Sequence, residues 1–346
     1  KQAGKKSGSE ESWLSHWHAG FLFCVLNNMS LRHNKLSSSG ITYMLEKYRQ
    51  TFILLGSVVV AACGSDPVPD TTQEFRSIDT TFMSRGVSVP ATLVTPAADD
   101  GKAFPLVVMA HGHGGSRQEG GGYERVAEAF AERGVASIRM DFPGCGDSVE
   151  SFAKNNLANM LLDLQAARQY AQAQGGIDAS RVGLLGFSMG GRLVALLSEI
   201  DPSYRAMVTW APAVADGAER EIVEFDGPEG YYQMKQQAAE DGSVVYTTRW
   251  GTQLELGLRW FTDMEETFPQ AALAKFTGPL LVIYGDLDES VPPAISAAAA
   301  SSATSSSEVV SLVIPGARHG LGFYTNRPEV ANKVVNATAD FLAERL

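Results

Sequence analysis

At 346 residues, with 45% hydrophobic and 9% aromatic side chains, the chain has enough apolar material for one large core or two ordinary ones, which excludes a disordered or fibrous protein. A formal charge of −11 with no basic cluster in the body of the chain excludes a phosphate-backbone partner, so nucleic acid is set aside. Three cysteines, Cys24, Cys63 and Cys145, are too few and too scattered for a disulfide framework or a CxxC zinc site.

Residues 1–43 begin with lysine and lie upstream of a start at Met44; they are read as non-native or over-extended and left out of the fold. After Met44, Lys47 and Arg49 precede an apolar run from Phe52 to Ala62, about eleven residues against the ~20 that a spanning helix needs. Residues 44–62 therefore have the layout of an export signal. The ending Val60-Ala61-Ala62-Cys63 resembles the lipobox of bacterial lipoproteins. That resemblance implies lipidation of Cys63, export, and a lipid anchor in a membrane of the bacterial cell envelope. Gly64 rather than aspartate after Cys63 points, by resemblance to Gram-negative lipoproteins, to the outer membrane. Residues 63–73, with Gly64-Ser65-Asp66-Pro67, read as a flexible tether.

A domain over 74–346 follows. Phe75 to Met83 and Val87 to Val94 read as a hairpin turning at Ser84-Arg85-Gly86. Phe104 to Ala110 is continuously apolar, as in a strand buried on both faces, and runs into His111-Gly112-His113-Gly114-Gly115. A helix is predicted over Tyr123 to Arg133, a strand over Val135 to Met140, and a helix over Leu157 to Gln174. Arg181 to Leu185 is a short buried strand and Gly191 to Leu197 a packed helix, with a further strand from Tyr204 to Trp210. Between Pro212 and Phe276 the alternation breaks down, which predicts an inserted cap over about 213–276. Its aromatics, Tyr231, Tyr232, Tyr246, Trp250, Trp260 and Phe261, either line an acyl or aryl pocket or pin the cap to the core. Strands at Pro279 to Tyr284 and Val309 to Ile314, a surface helix in the alanine half of Ala294 to Ser307, and a closing helix from Val330 to Leu346 complete an α/β pattern. A mostly parallel twisted sheet with helices on both faces is expected.

Gly186-Phe187-Ser188-Met189-Gly190 sets a serine between glycines where a strand meets a helix, a turn too tight for large neighbours. A serine hydroxyl needs a base to take its proton and a carboxylate to orient the base. Of six histidines, His16, His18 and His33 precede the expected cleavage site, His111 and His113 sit after an earlier strand, and only His319 follows the last one. Among Asp286, Asp288 and Glu289, the Gly285-x-x-Asp288-x-x-Val291-Pro292 spacing favours Asp288, with Asp286 second. The oxyanion donors expected are the N–H of Met189 and that of His113, with Gly114 as the alternative. Substrate contacts are assigned to His111, Gly112, Gly114, Trp210, Trp250 and Trp260. His111 and His113 lack a third ligand, so no metal is expected, and Cys145 reads as a buried structural thiol.

The His-Gly loop, Asp141-x-x-Gly144-x-Gly146-x-Ser148, the Ser188 elbow, Gly285-x-x-Asp288 and Gly316-x-x-His319 together resemble the α/β-hydrolase superfamily over about residues 75–346. The insert is most similar to that of the cinnamoyl/feruloyl esterases and related small-ester hydrolases. The chain departs from them at His113, where an aromatic is usual, and at Cys145, where His or Arg is usual. The resemblance implies a serine hydrolase of small acyl or aryl esters, feruloyl-type included, with a Ser188-His319-Asp288 triad, an acyl-enzyme and no cofactor. Two rivals are a peptidase of the prolyl-oligopeptidase type, whose large propeller has no room between Cys63 and the first strand, and an inactive hydrolase-fold binding lipoprotein.

Overall fold

The structure is a computed structural model that describes residues 75–97 and 101–346; the expected signal peptide, the tether and Cys63 lie outside the described residues. The elements begin with β1 (Phe75–Ser84) and β2 (Val87–Pro96), then β3 (Phe104–Ala110), α1 (Gly122–Glu132), β4 (Ala136–Met140), α2 (Leu157–Ala173), β5 (Ile177–Phe187), α3 (Met189–Ile200) and β6 (Ala206–Trp210). The stretch 211–279 holds α4 (Glu219–Glu224), α5 (Pro228–Asp241), β7 (Ser243–Thr247), β8 (Gln253–Gly257), α6 (Leu258–Glu266) and α7 (Pro269–Leu273). The sheet pattern resumes with β9 (Leu280–Gly285), α8 (Pro293–Ser302), β10 (Val309–Ile314) and α9 (Pro328–Arg345).

Eight strands form one sheet in the order β1-β2-β4-β3-β5-β6-β9-β10, and β7 pairs with β8 apart from it. Only β1 with β2 and β2 with β4 run antiparallel within the large sheet. The hairpin between β1 and β2 turns on Arg85 and Gly86, both at positive φ (51° and 80°), a conformation matched to the twist of the flanking strands. Side-chain alternation divides the core into two layers. Leu106, Val108 and Ala110 face the layer that holds α2, α3 and α8, while Val107 and Met109 face that of α1 and α9.

Several boundaries differ from the sequence reading, two of them for physical reasons that bear on the site. β5 starts at Ile177 rather than Arg181, because Phe104 pairs with Ile177 across a register shift and its N–H donates to Gly176 O at 2.8 Å. α3 starts at Met189 rather than Gly191, since Gly190 and Gly191 are needed inside the helix for close approach: a Cβ on Gly191 would stand 2.5 Å from Pro212 Cβ. In 211–279, β7 and β8 form a small hairpin burying Val244, Leu254 and Leu256, short strands that the sequence reading did not assign.

Arg192, on α3 and 1% exposed, ties this stretch to the sheet. Its guanidinium donates to the carbonyls of Ala215 (2.7 Å), Gly217, Met264 and Thr267 (3.0 Å each), and to Thr267 Oγ1 (2.7 Å). Arg192→Met keeps the apolar stem and strands those carbonyls; at about 1–3 kcal/mol per unsatisfied buried group, unfolding free energy should fall by about 3 kcal/mol or more. Urea denaturation checks this, and a loss below about 1 kcal/mol would contradict the anchoring role.

Candidate active site

The carboxyl ends of β3, β5, β9 and β10 supply the groups that converge. Ser188 follows β5 at φ 54° and ψ −116°, a strained conformation for a residue with a side chain, costing on the order of 1–3 kcal/mol. Its backbone is pinned: the N–H donates to Trp210 O (2.8 Å), and the carbonyl accepts from Gly191 N (2.9 Å) and Ala213 N (3.0 Å). His319 Nε2 lies 3.0 Å from Ser188 Oγ and Nδ1 2.7 Å from Asp288 Oδ2. The other oxygen of Asp288 accepts the N–H groups of Ser290 and Val291, both at 2.9 Å, and the carboxylate is fully buried. Such a carboxylate holds His319 with its proton on Nδ1, leaving Nε2 free to accept from the serine. The competitors are engaged elsewhere. Asp286 accepts from Gly316 N at 2.6 Å, and Glu289 pairs with Arg318 at 2.5 Å near the surface.

Met189 N–H opens α3, where amides lack intrahelical partners. Neither it nor the His113 N–H donates to another group among the described residues. The Gly114 amide interacts with the Cys145 sulfur, which favours His113 over Gly114 as the free donor. The loop lies against Ser188, for a Cβ on Gly112 would meet Phe187 Cδ1 at 2.9 Å and Ser188 Cβ at 3.4 Å. Burial pushes the Cys145 thiol up to about 12, consistent with an inert thiol. Among the described residues no group of three or more His, Cys, Asp or Glu is placed to hold a metal.

A cavity of about 420 Å³ opens over Ser188 and His319. Gly112 to Gly115 form one wall, and Phe225, Tyr246, Trp250, Trp260 and Met264 from the inserted stretch form another. Of the expected substrate contacts, Gly112, Gly114, Trp250 and Trp260 reach it. Trp210 does not: it is fully buried on the α1/α9 side, stacked 5.0 Å from Phe323, with Nε1 donating to Thr338 Oγ1 at 2.8 Å. His111 also misses the cavity. Its Nδ1 donates to Gly112 O at 2.8 Å and Nε2 accepts from Phe142 N at 3.1 Å, while burial lowers it to about 4, so it is a neutral strut. The inserted aromatics divide, with Tyr231 and Phe261 buried within the stretch and Tyr232 exposed.

The polar wall residues that escaped the sequence reading include Glu119, Arg220, Glu221 and Tyr324. In sequence they look like ordinary surface polar residues, and no spacing marks them. His113 is half-buried and its imidazole neutral, lowered to about 3 by burial and then by the Arg220 charge. Its Nδ1, together with Trp260 Nε1 and Glu221 Oε2, is buried without a hydrogen-bond partner.

Residues 107–333 match the model of the alpha/beta hydrolase family. The quorum-quenching protein AidA of Acinetobacter baumannii is 33% identical over 137 residues, 39% of this chain and 43% of that protein, so the match spans under half of its length. A monoacylglycerol lipase of Mycolicibacterium smegmatis is 28% identical over 262 residues, covering 70% of this chain and 89% of the lipase. Among solved structures, Est1E of Butyrivibrio proteoclasticus with ferulic acid bound superposes with a TM-score of 0.60 at 22% identity, covering 77% of this chain and 98% of Est1E. An esterase domain from Rhodothermus marinus gives 0.57 at 19%, covering 78% and 98%. At these identities the structural likeness is one of fold.

The geometry predicts that a fluorophosphonate probe labels the protein at Ser188. Labelling should vanish in Ser188→Ala, slow by about 10³–10⁴-fold in Asp288→Asn, where the histidine tautomer is lost, and stay within about threefold of wild type in Asp286→Asn. Equal slowing in both aspartate variants would overturn the assignment of Asp288.

Proposed function

The chain belongs to the alpha/beta hydrolase family, and on that premise we propose that it is a serine carboxylic-ester hydrolase working through an acyl-enzyme on Ser188. The observation that carries this reading is the hydrogen-bonded run from Ser188 Oγ to His319 (3.0 Å) to Asp288 (2.7 Å) at the floor of the cavity. Ser188 Oγ attacks the ester carbonyl as His319 Nε2 takes its proton, and Asp288 stabilises the imidazolium. The Met189 and His113 amides hold the developing oxyanion, each worth about 3 kcal/mol. His319 then returns the proton to the departing alcohol, and water, activated by the same histidine, releases the acid.

The cavity volume of about 420 Å³ and its aromatic wall suit small acyl or aryl esters, feruloyl-type included. The ferulic acid in Est1E and the monoacylglycerol lipase relative support that range. The proposal keeps the export signal and the anchor at Cys63.

A panel of p-nitrophenyl acetate, p-nitrophenyl butyrate, methyl ferulate and an aminoacyl-anilide tests the reaction. Ester hydrolysis should exceed anilide hydrolysis, and Ser188→Ala should lower ester turnover by about 10³-fold or more; turnover of the anilide alone would replace the esterase reading with a peptidase. For the anchor, Cys63→Ala should abolish incorporation of labelled palmitate and move the protein from the membrane to the soluble fraction.

A further inference from the structure

Glu119 is only 2% exposed and sits at φ +46°, a left-handed conformation unfavourable for a side-chain-bearing residue. Both oxygens are engaged. Oε2 accepts the Gly112 N–H at 2.8 Å, and Oε1 accepts the hydroxyl of Tyr324, five residues beyond His319. Packing around the carboxyl is tight, since a Cβ on Gly115 would stand 2.9 Å from Oε2. The Tyr324 ring is confined in the same way by Gly120 and Gly320, each of which would bring a Cβ within 2.9 Å of it.

The carbonyl of Gly112 is fixed as well, accepting from Gly115 N (3.1 Å) and His111 Nδ1 (2.8 Å). That carbonyl shares a trans peptide plane with the His113 N–H, so anchoring the one aims the other in the opposite direction. With Glu119 holding the N–H of Gly112 and two donors holding its carbonyl, the glycine has little freedom to turn the His113 amide.

We propose that Glu119 is a positioning residue, clamping Gly112 so that the His113 N–H stays aimed at the oxyanion and tying that loop through Tyr324 to the loop that carries His319. This rests on the reading of Ser188 as nucleophile. Oxyanion donor and base then keep one geometry although they come from opposite sides of the elbow. The titratable groups that face the carboxyl are the hydroxyls of Tyr324 and Tyr123 and the thiol of Cys145; burial first, and the Glu119 charge after it, hold each above its ordinary range. Burial in turn lifts Glu119 to about 7. A folded-state value raised above the ordinary 4.5 means that the fold loses stability as the pH rises from about 4.5 to 7.

The test compares full-length wild type with Glu119→Gln, Glu119→Ala and Tyr324→Phe. Four readouts are taken: the rate of fluorophosphonate labelling of Ser188, kcat and KM on p-nitrophenyl butyrate, affinity for a trifluoromethyl ketone, and thermal stability against pH. Glu119→Ala should lower labelling, kcat and ketone affinity together by about 10²-fold, the usual cost of a lost or misplaced oxyanion donor, with KM moving less than about threefold. Glu119→Gln keeps an oxygen for Gly112 and an amide for the Tyr324 oxygen; it should recover to within about fivefold of wild type and lack the stability slope between pH 4.5 and 7. Tyr324→Phe, which removes one hydroxyl, should fall about tenfold in kcat, and it carries the test if Glu119→Ala does not fold. A folded Glu119→Ala or Tyr324→Phe within threefold of wild type would overturn the clamp, as would a Gln variant as impaired as the alanine one. Labelling of wild type without ester turnover would remove the ester reading and leave the clamp testable by labelling. An unlabelled wild type would overturn the nucleophile and the clamp together.

Discussion

The site depends on how closely α3 approaches the ends of β3 and β5. A Cβ on Gly190 would lie 1.8 Å from the carbonyl of Ala110, and one on Gly186 would lie 2.2 Å from the carbonyl of Gly190. Only with both absent does the chain reverse from strand to helix within one residue, and that residue is Ser188. The approach fixes three things at once. It turns the serine out of the sheet, starts a helix at Met189 with its amide unpaired, and sets the loop after β3 against the nucleophile, because β3 is the neighbour of β5. A parallel sheet brings the ends of its strands to one edge, so the loop after β3 arrives there by topology rather than by any attraction to the serine.

The same contact recurs on the other side of the elbow. Gly285, at the end of β9, lies so near the turn after β10 that a Cβ would stand 2.1 Å from Ala317 O, and Leu287 N donates to that carbonyl at 3.0 Å. These contacts hold the Asp288 turn against the segment carrying His319. Asp288 is then locked by the Ser290 and Val291 amides, so the imidazole meets a carboxylate that does not rotate. Strand adjacency brings the three residues together: β9 and β10 are neighbours, and β6 alone separates them from β5.

What could be read from sequence follows what chemistry restricts. A nucleophile between close-packed glycines, a histidine after the last strand and an acid at a strand end admit few residue types, and the structure brings Ser188, His319 and Asp288 within hydrogen-bond reach. Direction is harder to read than identity. Trp210, an expected substrate contact, ends the strand next to the elbow strand. Strand parity puts it with Val208 on the α1/α9 face, where Thr338 takes its N–H. His111, another expected contact, opens the loop after β3, but its ring turns back under that loop and accepts from Phe142 N. Glu119 had no signal at all, because a buried carboxyl and a surface one look alike until the fold supplies Gly112 and Tyr324 as partners. The short strands β7 and β8 were hidden for another reason: each alternates over only five residues, too few to stand out from loop.

The inserted stretch extends the core of the α2/α3 layer and turns one side to the cavity. Phe225 has its ring within 4.7–6.3 Å of those of Tyr246, Trp260, Tyr231 and Phe261. Three of these five rings, Phe225, Tyr246 and Trp260, also line the cavity. A wall that is itself packed core holds its shape more firmly than a loop would. Arg192 joins that wall, through the carbonyls of Met264 and Thr267, to the helix that starts at Met189. Pocket and nucleophile are thus fastened to the same helix, so a change in the wall is felt at Ser188 through backbone as well as through the substrate. The pocket wall and Ser188 are therefore mechanically linked by construction, with Arg192 joining them on the cap side and Glu119 bridging the Gly112 loop to the segment of His319.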